Sequence, residues 1–399
     1  MSDFHEENRQ MLGGGERKGL ESQLREKLHV FPFVAHKLLG ATSNYLRDTG
    51  SNSGINSGSF RLLESYNNAV FKFSPDNGNA VVVKIFPEDD DGRGRFETES
   101  EGRKFIIENG NFYSNGDVII PKQLYKDDEN RAIILEKINN LDDSYPHSGI
   151  GEKGDKRISL ITSFLVQLNE IRATPENHKK FPYKSRYAYA SSYEIYQSAV
   201  KRVQSFKDWI ANGVNSQPAI IKWCKNNDLF DIIENHFNIA LTIIDPQILH
   251  RQNDPSEMRF NWGDVSLPNL PIRKIEGRSQ LVPLDLEYAG WDHFSGGITS
   301  LLLHHRSEDL SINIKQDLLN KFVADSRLGE DEQRELDARL IVGELLFVSR
   351  KLIAATKGLR ETGLNVHRGP YQTIESVKIE ELLEPALIRS KRGFLRASV

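Results

Sequence analysis

The chain has 399 residues, with 52 Lys and Arg against 56 Asp and Glu, a formal net charge of −4. That length exceeds what one hydrophobic core usually serves and predicts two lobes. The balanced, mildly acidic composition excludes general binding to a nucleic-acid backbone. Cys224 is the only cysteine, which excludes an internal disulfide and any cysteine-built zinc or iron–sulfur centre. The most apolar stretch, 340–348, is broken by Glu344, so no membrane span is expected. The polar start MSDFHEENRQ does not read as a secretory signal, and a cytoplasmic location is the expectation.

Residues 1–59 read as an N-terminal extension and loop. Leu20, Leu24 and Leu28 have helical spacing, and the Gly, Ser and Asn run of 48–59 has too little apolar surface to order itself. Strands are predicted over 69–73, 80–86, 123–125 and 132–138, where β-branched and aromatic residues gather between turn clusters at 75–78 and 127–130. Between the two pairs, 95–109 reads as a helix closed by Gly110. The remainder is helical around 156–171, 190–212, 217–244, 295–306, 312–325 and 330–357, with one hairpin of strands 270–272 and 281–284 about a turn at 276–279. The fold class is therefore α+β, with domains 1–59, 60–138 and 139–399, and no internal repeat of fixed period.

The strongest local signal is Asn261-Trp262-Gly263-Asp264-Val265-Ser266-Leu267-Pro268-Asn269, followed after the hairpin by Leu284-Asp285-Leu286-Glu287. An Asp, an Asn five residues on and a second Asp ending an apolar strand are what phosphoryl transfer from ATP needs. One carboxylate faces the acceptor hydroxyl. Asn269 and Asp285 offer the hard oxygens that Mg²⁺ takes while phosphate and water complete its shell.

These motifs resemble the aminoglycoside phosphotransferase and choline kinase family, whose pattern is HGDxxxxN followed by a DFE or DxE segment. Val81-Val82-Val83-Lys84 is similar to its nucleotide-lobe strand, and 95–106 to its helix with the lysine-pairing glutamate; the likeness covers residues 60 to about 305 in order. The resemblance implies a bilobal protein-kinase-like fold, with a small β-rich N-lobe and a larger helical C-lobe. It implies that Lys84 contacts the donor phosphates, Glu99 positions Lys84, Asp264 is the catalytic base, and Asn269 and Asp285 hold Mg²⁺. The hinge over 134–138, with Glu136 and Ile138, would take the adenine of ATP, and Ser65 and Asn68 could supply donors to the phosphates. Its partner would be a small-molecule hydroxyl acceptor of sugar, amino-sugar or amino-alcohol type, with neither nucleic acid nor membrane involved.

Three departures stand out. Trp262 replaces the family's His, and its indole donates a hydrogen bond but accepts none. The loop Leu63-Glu64-Ser65-Tyr66-Asn67-Asn68 lacks glycines that let backbone amides close over phosphates. Pro268 stiffens the approach to Asn269. They keep open two rivals: a regulatory kinase acting on a macromolecule, and a nucleotide-binding module without catalysis. No A-P-E-like segment follows Asp285, which favours a small acceptor.

Other residues have plainer readings. Glu101 is the alternative to Glu99, and Glu287 could face the metal or point outward. Asp292 reads as a helix cap. His293, His304 and His305 lack zinc spacing and read as surface or core. Tyr187, Tyr189, Tyr193, Tyr196, Trp209 and Trp223 read as core before acceptor pocket. Arg389, Lys391, Arg392 and Arg396 read as a solvated basic end.

Overall fold

The computed structural model describes residues 14–51, 53–63, 68–110, 112, 116–141, 150, 156–186, 188–212, 218–304, 307, 310–362, 365–366, 375–376, 379–392 and 394–395. It divides into two compact units. Among the described residues the first holds 14–103 and 121–139, and the second holds 104–120 and nearly all that follows 139.

Alternation along short strands builds the first unit. It contains helices α1 (Gly14–Leu28) and α2 (Pro32–Asp48), strands β1 (Phe60–Leu63), β2 (Ala69–Phe73) and β3 (Val81–Ile85), most of helix α3 (Asp90–Asn109), and strands β4 (Gln123–Asp127) and β5 (Ala132–Glu136). The strands form one antiparallel sheet in the order β1-β2-β3-β5-β4. Because side chains alternate between faces, Phe71, Phe73, Val81, Val83, Ile85 and Ile134 all bury against Leu24, Val34 and Leu38 of α1 and α2. Val82, Ile133 and Leu135 fall on the other face with Phe86 and with Phe96 of α3. Lys84 has the parity of Val82, so the alternation sends its side chain to the face that α3 covers.

Leu20, Leu24 and Leu28 lie on α1 as their spacing predicts, and α2 is a helix that sequence patterning did not single out. Its register is hard to read because Pro32 opens it and its buried face includes Lys37, Gly40 and Thr42 among the apolar residues. Within the 48–59 run, residues 57–59 form a 3₁₀ turn, capped by the Asn56 side chain accepting from Gly58 N at 2.8 Å.

The second unit holds helices α4 (Arg157–Glu170), α5 (Pro175–Lys180), α6 (Ser192–Ala211), α7 (Pro218–Asn226), α8 (Leu229–Ile243) and α9 (Pro246–His250). Strands β6 (Arg259–Asn261), β7 (Ile272–Ile275), β8 (Arg278–Leu281) and β9 (Gly290–Asp292) follow, then α10 (Gly296–Leu303), α11 (Ile312–Ser326), α12 (Glu330–Thr362) and α13 (Ile379–Arg392). β6 pairs with β9, and Phe164, Phe181, Phe260, Trp262 and Trp291 gather around that ribbon in one core. A second core lies among α6, α8, α12 and α13.

Three expectations need correction here. The helix expected over 217–244 is two, divided where Asp228 takes a left-handed φ of 48°, a conformation that Asp tolerates and that ends a helix. The hairpin closes nearer its turn than expected: Glu276 and Gly277 both have positive φ, 49° and 77°, which is a two-residue turn matched to strand twist, and it pairs Ile275 with Arg278. Arg389 is not a solvated end. It is buried, donates to Glu344 at 3.1 Å and to Leu303 O at 3.0 Å, and lies over the Phe347 ring. That pairing accounts for a glutamate inside the most apolar stretch.

Candidate functional site

In the first unit, Lys84 Nζ donates to Glu99 Oε2 at 2.6 Å, both side chains being almost wholly buried. Helical spacing selects Glu99: Phe96, Glu99 and Arg103 recur on the buried stripe of α3, while Glu97 and Glu101 are only half-buried. Arg103, which sequence reasoning missed, completes the cluster. Its Nη2 donates to Glu99 Oε1 at 2.6 Å and its Nη1 to Pro121 O at 3.1 Å. Burial alone would raise the Glu99 pKa, but the charges and hydrogen bonds of Lys84 and Arg103 outweigh it and hold the carboxyl at about 2. Glu99 is thus a fixed anion, and Lys84 a cation held in one place.

Of the other residues expected in this unit, Ser65 lies outside the described residues. Asn68 is buried, with Oδ1 accepting from Arg95 Nη1 at 3.2 Å. Glu136 ends β5, its N–H donated to Lys122 O at 2.9 Å, and Ile138 follows as a buried residue.

In the second unit the loop after β6 is braced from several sides. Gly263 has φ 89°, and a Cβ there would lie 2.1 Å from Tyr288 O, so this position requires glycine twice over. Gly263 N donates to Asn261 Oδ1 at 3.1 Å, and Asn261 Nδ2 donates to Asp292 Oδ2 at 3.1 Å. Asp292 is therefore not the expected cap of α10, whose N-cap position is Ser295 with no side-chain cap. It is a buried anchor for the loop, with burial pushing its pKa up to about 6 against the pull of Arg339 and its hydrogen-bond donors.

The loop presents Asp264 with a fifth of its side chain exposed. Asn269 Nδ2 donates to Asp264 O at 3.1 Å and approaches Asp264 Oδ2 at 3.5 Å. A 3₁₀ turn over Leu267–Asn269, with Pro268 inside it, sets that reach. His304 Nε2 lies 3.3 Å from Asp264 Oδ1. His304 read as a surface or core histidine because the contact joins residues forty apart, and no local spacing reveals it. His305 lies outside the described residues. His293 is buried, hydrogen-bonded to Ser295 and Glu335, and held near pKa 4 mainly by burial, hence neutral at neutral pH.

Trp262 ties the loop to the residue before Asp285. Its Nε1 donates to Leu284 O at 2.8 Å, while Leu284 N donates to Asn269 O at 2.8 Å. Both groups of the residue before Asp285 are thereby tied to the loop that carries Asp264 and Asn269. Asp285 itself is half-buried at φ 65°, a left-handed position rare for residues with a Cβ. Glu287, left open by the sequence, is buried.

A cavity of about 430 Å³ opens beside this loop. Gly263, Asp264 and His304 line it, with Ser300, Leu303 and Tyr189 among its walls. Of the aromatic residues weighed between core and pocket, Tyr189 reaches the cavity; Tyr193, Tyr196, Trp209 and Trp223 pack against the helical core, and Tyr187 lies outside the described residues. No helix among the described residues is long and apolar enough to cross a membrane.

No protein-family model matches the chain, and no curated protein matches it in sequence. Solved structures do. The chain aligns with the GDP and kanamycin complex of APH(2")-IIia at a TM-score of 0.54 and 13% identity, covering 88% of this chain and 98% of that one. An ethanolamine kinase from Plasmodium vivax aligns at 0.55 and 14%, covering 96% and 95%. The GDP complex of a wild-type aminoglycoside 2'-phosphotransferase-IIIa aligns at 0.53 and 13%, covering 89% and 97%. The resemblance read from the motifs is met in three dimensions, and the chain has the protein-kinase-like fold.

Proposed function

We propose that the protein is a phosphotransferase that moves the γ-phosphoryl group of ATP to a hydroxyl of a small molecule. The observation that carries this reading is the bracing of one loop: Asn269 holds Asp264 by its side chain and Leu284, the neighbour of Asp285, by its backbone. An Asp held beside a cavity, next to two further oxygen donors, is the arrangement that such a transfer asks of a protein. The folds of an aminoglycoside phosphotransferase and an ethanolamine kinase support the same class of reaction.

Each residue then has a defined task. Lys84 gives the donor phosphates a point charge, and Glu99 and Arg103 keep it from moving. Asp264 accepts a hydrogen bond from the acceptor hydroxyl, orients it for in-line attack on the γ-phosphorus and takes its proton late in the transfer. The new O–P bond forms as the bridge to the β-phosphate breaks, and ADP leaves with that bridging oxygen. The donor set fits Mg²⁺: Asn269 Nδ2 is committed to Asp264, which leaves the hard Oδ1 for a cation, and Asp285 adds a carboxylate. When bound there, the ion would neutralise charge on the transferring phosphates.

Thermal melting tests the nucleotide half of this reading. ATP with Mg²⁺ is expected to raise the melting temperature by several degrees, because a ligand that binds only the folded state stabilises it by about 2.7 kcal/mol at a hundred times its Kd. Lys84→Ala should abolish most of the rise. A wild-type protein that melts at the same temperature with and without MgATP would refute the assignment.

A further inference from the structure

Helix α10 and the residue that caps its C-terminus meet the loop of Asp264 at three positions four residues apart, Gly296, Ser300 and His304. A Cβ on Gly296 would lie 2.3 Å from Asn261 Nδ2 and 2.5 Å from Asp292 Oδ2, so the helix starts against the hydrogen bond that anchors the loop. One turn on, the Ser300 hydroxyl is shared between Gly263 O and Val265 O, the carbonyls on either side of Asp264, at 3.4 Å each. One turn further, His304 Nε2 lies 3.3 Å from Asp264 Oδ1. The same face of one short helix thus reaches the anchor of the loop, its backbone and its acidic side chain.

The backbone of His304 is fixed on both sides of this contact. Its N–H donates to Ser300 O at 2.9 Å, closing the last turn of α10, and its carbonyl accepts from Ser307 N at 2.9 Å. Behind α10, α12 passes so near that a Cβ on Gly343 would lie 2.6 Å from Leu303 Cδ1 and 3.2 Å from Thr299 Cγ2. The two side chains in contact both line the cavity and are mostly buried, with 17% of His304 and 20% of Asp264 exposed. A hydrogen bond to an ionised carboxylate in such a place is strong. A carboxylate oxygen only accepts, so the nitrogen that faces it carries the proton. Beyond the other oxygen, Asn269 Nδ2 stands 3.5 Å from Asp264 Oδ2. Asp264 is therefore approached at each oxygen, once from its own loop and once from α10. With about four acceptor sites on a carboxylate, these two contacts are compatible with a hydroxyl as a third.

We propose that His304 is a positioning residue for the transfer: donating from Nε2 to Asp264 Oδ1, it holds the carboxylate in the plane in which Asp264 receives the acceptor hydroxyl. This inference rests on the phosphotransferase reading for the task of Asp264, and adds to it a residue that acts only through Asp264. A carboxylate free to turn would spend part of its time out of line with the reacting hydroxyl, and a misplacement of about 1 Å can cost on the order of 10²-fold in rate.

Two measurements test it, and the first needs no turnover. In protein labelled with ¹⁵N-histidine, long-range ¹H–¹⁵N correlations show which ring nitrogen carries the proton, and the His304 signal is identified by its loss in His304→Gln. At neutral pH the proton is expected on Nε2, and the signal is expected to move in Asp264→Ala. A bare Nε2, or a signal indifferent to Asp264→Ala, overturns the inference. The second measurement follows ADP release from MgATP alone, where water takes the place of the acceptor hydroxyl. His304→Ala should lower kcat about ten- to a hundredfold while KM for MgATP stays within a few-fold of wild type. His304→Gln, whose side-chain amide sets an N–H about where that of Nε2 stood, should lose much less, with both variants melting close to wild type. An undiminished kcat in His304→Ala, a loss confined to KM, or equal losses in the two variants overturns the inference. The phosphotransferase reading is judged separately by the MgATP melt of the wild-type protein, so the two fail by different observations.

Discussion

Replacing Asp264 with Asn is expected to lower kcat for phosphoryl transfer by about 10²–10⁴-fold, the range typical for removing a positioned proton acceptor. The substitution keeps the shape of the side chain and leaves an oxygen to accept from Asn269 Nδ2, so the loop should survive it. What is lost is the charge that orients the hydroxyl and receives its proton. Because Asp264 is not assigned to the nucleotide, the KM for ATP should stay within a few-fold of wild type while kcat falls, which steady-state kinetics separates cleanly. A loss confined to KM would mean that Asp264 contributes to ground-state binding only. Undiminished transfer would remove it from the mechanism.

The second large effect is on stability. Glu99→Ala should destabilise the protein by about 3–5 kcal/mol, the usual cost of leaving a buried charge without its counter-ion, here felt by both Lys84 and Arg103. Urea unfolding at neutral pH measures it. The same residue makes acid unfolding predictable. Glu99 has a pKa of about 2 when folded against 4.5 for its reference value, so on acidification the unfolded chain takes up this proton first. The stability that Glu99 contributes is fully present above about pH 4.5 and is lost as the pH falls from there towards 2. Glu99→Gln should lack this part of the acid transition. An unfolding free energy unchanged by Glu99→Ala would contradict the cluster itself.

Much of this arrangement was legible because local rules and fold agree. Val81–Ile85 is β-branched enough to give the strand, although it does not alternate, and the sheet register then puts Lys84 on the face of Val82, which α3 covers. The resemblance points to Glu99 with Glu101 as its alternative, and the buried stripe of α3 separates the two. Asp264 and Asn269 lie five apart on one loop, so their bond is nearly local.

What could not be read are contacts between distant segments. The His304–Asp264 contact, the hold of Asp292 on Asn261 and the Arg389–Glu344 pair join residues thirty or more apart through tertiary packing, and none leaves a periodic mark. Trp262 was visible as a departure from the family pattern, but its hydrogen bond was not: the donor-only indole finds a carbonyl, Leu284 O, twenty-two residues on. The face of α12 that lines the cavity was hidden for a different reason. Arg339, Arg350 and Lys351 look like ordinary charges on a long helix, and only the packing of α12 shows that their face lines a cavity.

The central claim is chemical, and ³¹P nuclear magnetic resonance reads it directly. The protein is incubated with MgATP and a panel of anionic, neutral and cationic hydroxyl compounds. The account predicts that the γ-phosphate signal declines while a phosphomonoester signal grows in step with ADP, and that the Asp264→Asn protein shows neither change on the same timescale. An ATP spectrum that remains unaltered across the whole panel, or a phosphomonoester formed equally fast by the Asp264→Asn protein, would contradict it.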